Sequence, residues 1–321
     1  MLKNWKFDCV GVKLNRFPKC YIKEIYTYIV RKKYSYNHPK KLYKYFGCSQ
    51  YSLENLKNNQ ITFSNPIYFN DPYDCALYTD FKKAFKIFLD YDEYKKEVEE
   101  ISLIDIQEAV LDDETFINEY EKEIKNFVNK IRVTCLSEKN DSILMWSHYA
   151  VNHTGFSIEY NFDDIAKQNR IFLPVIYKTE ISEISMEIMN DNKDGMIYPL
   201  ISKAKDWEYE DEWRIIEMDM KPCECRRNMY MKKQPIAVYL GCKIDKSNEE
   251  RIIQICIENN IQLYKMNMKK DAFKLEYSLV KKYEQMKYIK NSIYRSNANF
   301  KYSLIGLNSK YRWIKGYYIQ K

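Results

Sequence analysis

Charged and aromatic side chains are concentrated in one stretch of the chain, Lys205-Asp206-Trp207-Glu208-Tyr209-Glu210-Asp211-Glu212-Trp213-Arg214-Ile215-Ile216. It reads as the entry to a β-strand, where successive side chains alternate faces, so Glu212, Arg214 and Ile216 share one face and Trp213 and Ile215 the other. A Glu and an Arg side by side are either an ion-pair staple at a sheet edge or the charged floor of a site for a polar substrate. Two of the three histidines lie in Met145-Trp146-Ser147-His148-Tyr149-Ala150-Val151-Asn152-His153. Five apart, they do not share a helix face, which excludes a two-histidine helical metal pair and leaves no metal ligand set to assign. The helix carrying them should bury Met145 and Trp146 while a carboxylate or carbonyl orients His148. Asn70, Asp71, Asp74, Glu210 and Glu212 are the oxygen ligands a divalent ion would need in a nuclease or hydrolase.

No Walker loop, dinucleotide glycine fingerprint, nucleophile elbow or kinase motif occurs, and with seven glycines backbone phosphate cradles are nearly unavailable. A bound nucleotide would have to be held by side chains, and Arg, Lys, Tyr and Trp favour stacking and charge pairing.

The elements that must position these residues form an irregular series. Lys41–Phe46 opens the core, a short helix surrounds Leu53–Lys57, and Ile61–Ser64 alternates as a strand. Asp71, Pro72 and Asp74 have the form of a helix start, with Asp71 as N-cap and Pro72 in the first helical position. Apolar residues at helical spacing (Phe81, Phe85, Phe88; Phe116, Tyr120, Ile124, Phe127) predict a helical hairpin inserted over about 81–130. Strands follow at Ile131–Leu136, Gly155–Tyr160 and Phe172–Tyr177, with Asp141 capping a helix over Ser142–Ala150. After a polar helical region at 179–206 come the Glu212 strand and another at Pro235–Gly241. The capping box Ser247-Asn248-Glu249-Glu250 begins a helix to about Asn259. Strands at Ile261–Met266 and Phe273–Ser278 close the core. Strands interrupted by irregular helices, with no regular βαβ alternation, predict an α+β fold of mixed, largely antiparallel sheets with peripheral helices.

Composition excludes a disordered chain, since 45% of the residues are hydrophobic and 30 are tyrosines. The formal charge of +7 is carried by the ends, 1–40 and 281–321, which read as basic extensions flanking a 41–280 core. Interleaved aromatics (Tyr34, Tyr36; Tyr311, Trp313, Tyr317) would let such ends follow a nucleic-acid backbone and stack on its bases, although no nucleic-acid fold signature accompanies them. Nine scattered cysteines without a Cys-x-x-Cys argue against a disulfide framework or zinc ribbon and fit a reducing cytoplasm. No signal-peptide pattern and no run of about 18 apolar residues occurs, so neither export nor a membrane span is expected.

Taken together and in order, Leu42-Tyr43-Lys44-Tyr45, Phe63-Ser64, Phe69-Asn70-Asp71-Pro72-Tyr73-Asp74, Cys135-Leu136-Ser137, Met145-Trp146-Ser147-His148-Tyr149-Ala150 with His153 and Gly155, and Lys205 with Trp207 to Ile215 resemble the bacterial family catalogued as domain of unknown function 2971. The resemblance spans about 41–280. Its layout is similar to a distant ADP-ribosyltransferase core, which implies bound NAD surrounded by an opening strand residue (Tyr43 or Tyr45), a mid-chain strand residue (Ser64) and a late strand glutamate (Glu212 or Glu210). The resemblance further implies a toxin or phage-defence effector that modifies a protein or nucleic-acid acceptor.

The chemistry this implies is coherent. Breaking the nicotinamide–ribose bond builds positive charge at the ribose, which a carboxylate such as Glu212 stabilises. Tyr45 would stack on nicotinamide, Arg214 would pair with a pyrophosphate oxygen, and Asn70, Asp71, Trp146, His148 and Lys205 would support the cofactor or the acceptor. Two other classes stand beside it: a nucleic-acid-binding or regulatory protein without catalysis, and the metal-dependent nuclease or hydrolase named above.

Overall fold

The computed structural model describes residues 39–76, 122, 126, 128–167, 170–181, 197–218, 229–281, 283–288, 290–291, 311–314 and 317–320. The basic segment before Pro39 and nearly all of the helical insert expected at 81–130 lie outside these residues, as does most of the basic C-terminal segment.

The chain is α+β. Its centre is an eight-stranded, mostly antiparallel sheet made of β1 (Lys41–Phe46), β3 (Ile131–Ser137), β4 (Phe156–Asn161), β5 (Ile171–Pro174), β8 (Glu212–Met218), β10 (Ala237–Leu240), β11 (Gln262–Met268) and β12 (Leu275–Leu279). Their order across the sheet is β12-β11-β10-β4-β1-β3-β8-β5, with β10 and β11 its one parallel pair. Smaller sheets pair β2 (Gln60–Thr62) with β9 (Tyr230–Lys232), β6 (Ile176–Lys178) with β7 (Ser202–Ala204), and β13 (Tyr311–Ile314) with β14 (Tyr317–Gln320).

The alternation of side chains gives the large sheet one continuous oily face and an opposite face on which polar residues lie between two smaller apolar clusters. Leu42, Leu136, Ile158, Trp213, Val238 and Leu263 are buried on one face. They pack against Leu53 and Leu56 of helix α1 (Gln50–Lys57) and Ile252, Ile253 and Cys256 of helix α3 (Lys246–Glu258). Trp213 is the hub of an aromatic trio, with Phe162 and Phe172 at 4.8 and 5.1 Å. Tyr283 also joins this core, fully buried, so the packed unit runs past residue 280. The opposite face presents Tyr43, Tyr45, Cys135, Ser137, Glu212 and Arg214, and is covered by helix α2 (Ile143–Tyr149) and the segments around 66–76 and 197–210.

Several local expectations change. Asp71 caps a turn rather than a helix: its Oδ1 accepts from Tyr73 N at 2.9 Å, and Cys75 then takes a φ of 58°, which a right-handed helix cannot contain. The cap of α2 is Ser142, which accepts from Met145 N, and not Asp141. The cap of α3 is Asp245, accepting from Asn248 N at 2.9 Å, so the helix starts before the Ser247 box. The single strand expected over Phe172–Tyr177 is two, because the chain changes partner: Val175 N donates to Glu212 O and Ile176 N to Ile201 O. Within the supposedly helical 179–206 region, the described part is a helical turn at Ile197–Leu200 followed by β7 and the start of a 3-10 helix, Lys205–Glu210. β9 was not foreseen. Finally, β8 lies between β3 and β5, with Glu212 and Arg214 3% and 0% exposed, so their pair is an interior one and no edge staple.

Candidate functional site

Glu210 and Glu212 converge because the chain kinks between them. The 3-10 helix Lys205–Glu210 ends at Asp211, whose φ of 43° is left-handed, and β8 begins on the next residue. Glu210 and Glu212 thereby reach the same ammonium, Lys203 Nζ on β7, at 2.6 and 3.2 Å, while Asp211 turns outward to Lys139. Asp74, brought in by the capped turn, lies 3.6 Å from Lys203 and 2.7 Å from Arg214. Arg214 spans the group: Nε and Nη2 hold Glu212 at 2.9 and 3.2 Å, and Nη1 donates to Leu200 O at 2.9 Å. Tyr149 of α2 donates to Glu210 Oε1 at 2.5 Å, and Tyr177 Oη accepts from Glu212 N at 2.8 Å.

Burial and charge separate the two glutamates. Burial works against ionising Glu212, but the Arg214 guanidinium and Lys203 outweigh it and hold the carboxyl far below the usual range. For Glu210, burial and the neighbouring Glu212 charge prevail over Lys203 and Tyr149, pushing it up to about 7. Lys203 is likewise burdened by burial, yet Glu212, Glu210 and Asp74 keep it firmly protonated. Two carboxylates on one lysine with opposite proton affinities are the pattern of an acid–base pair.

A cleft of about 180 Å³ opens beside the cluster. Of the residues singled out by sequence, Tyr43, Tyr45, Ser64, Asn70, Asp74, Glu210 and Glu212 line it. Arg214 stands behind Glu212, fully buried, with Phe69 under its guanidinium at 5.8 Å. Trp146 supports the wall from beneath, edge-on to Tyr45 at 5.2 Å with its Nε1 donating to Asn140 O. Asp71 is occupied in its turn. His148 is exposed and sits among the rings of Tyr149, Trp207 and Tyr209 at 6.1–6.4 Å, and among the described residues it has neither the carboxylate nor the carbonyl partner expected of it. Lys205 faces solvent against Glu208 at 3.5 Å, and the lysine at the centre is Lys203, whose ammonium also lies over the Trp207 ring at 4.9 Å.

Sequence reasoning missed Lys44, Cys135, Tyr149 and Lys203, which all line the cleft. Tyr149 was adjacent to the singled-out His148, and the rotation of about 100° between consecutive helical residues decides which of the two faces inward. Among the described residues no group of His, Cys, Asp and Glu is arranged to hold a metal ion. Asp74, Glu210 and Glu212 are close, but their oxygens are turned onto Lys203 and Arg214. The described cysteines are free, and no described helix is long and apolar enough to cross a membrane.

Comparison with known proteins finds no matching curated protein and no matching solved structure. One family does match, over residues 145–215, a narrower span than the 41–280 suggested by motif order; it is described as a protein of unknown function (DUF2971), and it runs from the Trp146–His148 helix to the Glu212–Arg214 strand.

Proposed function

We propose that the cleft binds the nicotinamide–ribose end of NAD and transfers ADP-ribose to a protein or nucleic-acid acceptor. The observation that carries this reading is the charge of the cluster: the three carboxylates of Asp74, Glu210 and Glu212 are ion-paired with two cations, Lys203 and Arg214, and the proton on Glu210 is held near pH 7. Losing that proton makes the cluster net negative, and a ligand with a positive centre favours the loss. NAD supplies such a centre, a pyridinium joined to the carbon at which the bond breaks. The size of the cleft agrees with partial enclosure, since about 180 Å³ is below the roughly 300–1,000 Å³ that encloses a drug-sized ligand.

In this reading Glu212, fixed as an anion by Arg214 and Lys203, opposes the positive charge that develops at the ribose. Glu210, near neutrality, takes the proton of the acceptor nucleophile. Tyr45 offers its ring to nicotinamide, and Ser64 and Asn70 hold the opposite wall.

The test uses NAD labelled in its adenylate half, incubated with a cell extract and the parent, Glu210→Gln or Glu212→Gln protein. The parent should transfer label, and each variant should fall by about 10²–10³. Glu210→Gln mimics the protonated side chain and keeps the packing, so its loss of activity reports on chemistry. NAD left intact by the parent with every extract, or equal transfer by parent and both variants, overturns the proposal in favour of a cluster that serves only to pin β8 to the 71–75 turn.

A further inference from the structure

β1 and β3 are neighbours in the sheet, yet their ladder consists of one pair, Tyr43 with Ser137. Elsewhere the two strands pair fully: β1 with β4 from Lys41 to Phe46, and β3 with β8 from Ile131 to Ser137 without a bulge. Ser64 and Val133 exchange both backbone bonds at 2.8 Å, so the N–H and C=O of Val133 point away from β8. Backbone groups two residues apart on a strand point the same way, so those of Cys135 do too. In an unbroken ladder Tyr45 would stand opposite Cys135 and satisfy them, but the register stops at Tyr43. Lys44 Nζ reaches into the opening instead and donates to Cys135 O at 3.3 Å, and the Cys135 N–H, turned the same way, lies beyond the one β1–β3 pair.

Lys44 differs from the other cations here. Its ammonium has three donors. One is on Cys135 O, and its other contact among the described residues is the Phe46 ring at 5.6 Å, whereas Lys203 and Arg214 are both surrounded by carboxylates. Lys44, Cys135 and Tyr45 line the same cleft as Glu212.

We propose that the opening between β1 and β3 is an anion subsite, in which the Lys44 ammonium and the Cys135 amide take a phosphate or carboxylate oxygen of the ligand. An ammonium with no carboxylate bonded to it and a strand N–H beyond the end of its ladder both gain from an acceptor, and one anionic group answers both. Burial lowers the proton affinity of Lys44 against the opposing pull of Cys135 and Glu212, and an anion in the opening would add to that pull. The subsite stands whether or not the ligand is NAD, and its test uses none.

Inorganic phosphate and acetate are the probes, each titrated against chloride at matched ionic strength. In protein labelled with 15N-cysteine, the Cys135 amide resonance, assigned with Cys135→Ser, should move on addition of one of the anions. Movement with phosphate identifies a phosphate ester as the natural group, and movement with acetate a carboxylate. Lys44→Met should weaken that binding by about tenfold or more, as loss of a charge-assisted bond requires, while Lys44→Arg retains most of it. A Cys135 resonance indifferent to both anions, or a Lys44→Met protein that binds as well as the parent, overturns the subsite.

Discussion

Glu212→Gln removes one charge from the interior while keeping the size of the side chain, and its cost follows from the bonds in place. Glu212 accepts from Arg214 Nε at 2.9 Å, Arg214 Nη2 at 3.2 Å and Lys203 Nζ at 3.2 Å. A glutamine carbonyl in the place of Oε2 keeps the bonds from Arg214 Nη2 and Lys203 Nζ, while its NH2 group faces Arg214 Nε where Oε1 was. The one lost bond, to a charged group, gives a loss of about 1.5–3 kcal/mol. The upper end applies, because an NH2 set against the guanidinium adds repulsion, and it goes no higher because Arg214 keeps Asp74 and Glu210, relieved of a like charge, ionises more easily. About 3 kcal/mol also meets the range of about 3–5 for breaking a buried ion pair, and exceeds the limit of about 1 for an exposed one. Urea unfolding followed by circular dichroism measures it, with a melting-temperature drop of about 6–12 °C expected for a chain of this length. A loss below about 1 kcal/mol at unchanged urea dependence would refute the claim that Glu212 and Arg214 form an interior, weakly screened pair.

The raised proton affinity of Glu210 predicts a pH dependence of definite sign. Between its unfolded value of 4.5 and its folded value of about 7 the native state holds a proton that the unfolded chain has lost, so stability is greatest below that window and falls as pH rises through it. Melting temperatures of the parent should therefore decline from pH 5 to 8 relative to Glu210→Gln; parallel curves would contradict the assignment. Glu212, depressed instead of raised, loses its contribution only as pH falls below 4.5, outside that window. At the start of α3, Asp245→Ala should cost about 1 kcal/mol and Ser247→Ala a few tenths at most, since Asp245 holds the cap. The opposite ranking in chemical denaturation would restore the capping box as the helix start.

Much of the secondary structure was legible because it is set by neighbours in sequence. The alternation Glu212-Trp213-Arg214-Ile215 gave both the strand and the division of its faces, and Trp213 and Ile215 do enter the oily core. Where two local signals compete, sequence picked the wrong one: Asp245 and Ser247 can each cap, and it is the Asp245 side chain that accepts from Asn248 N. Phe172–Tyr177 has uniform strand character, and only the presence of β8 and of the Ile201 carbonyl divides it at Val175.

The site itself divides in the same way. Sequence by itself determined that Glu212 and Arg214 are neighbours on one face, that Trp146 is buried, and that Tyr43, Tyr45 and Ser64 belong to strands or their ends. Only the tertiary structure decided that the Glu212 face is interior, that Lys203 rather than Lys205 is the central cation, and that Asp74 and Tyr149 complete the cluster. Only it decided, too, that β1 and β3 part beyond Tyr43 to let Lys44 into the cleft. The reason is physical: side-chain alternation is a property of each strand, whereas burial, proton affinity and a broken ladder depend on which distant strands become neighbours. That order is chosen by the packing of the whole sheet.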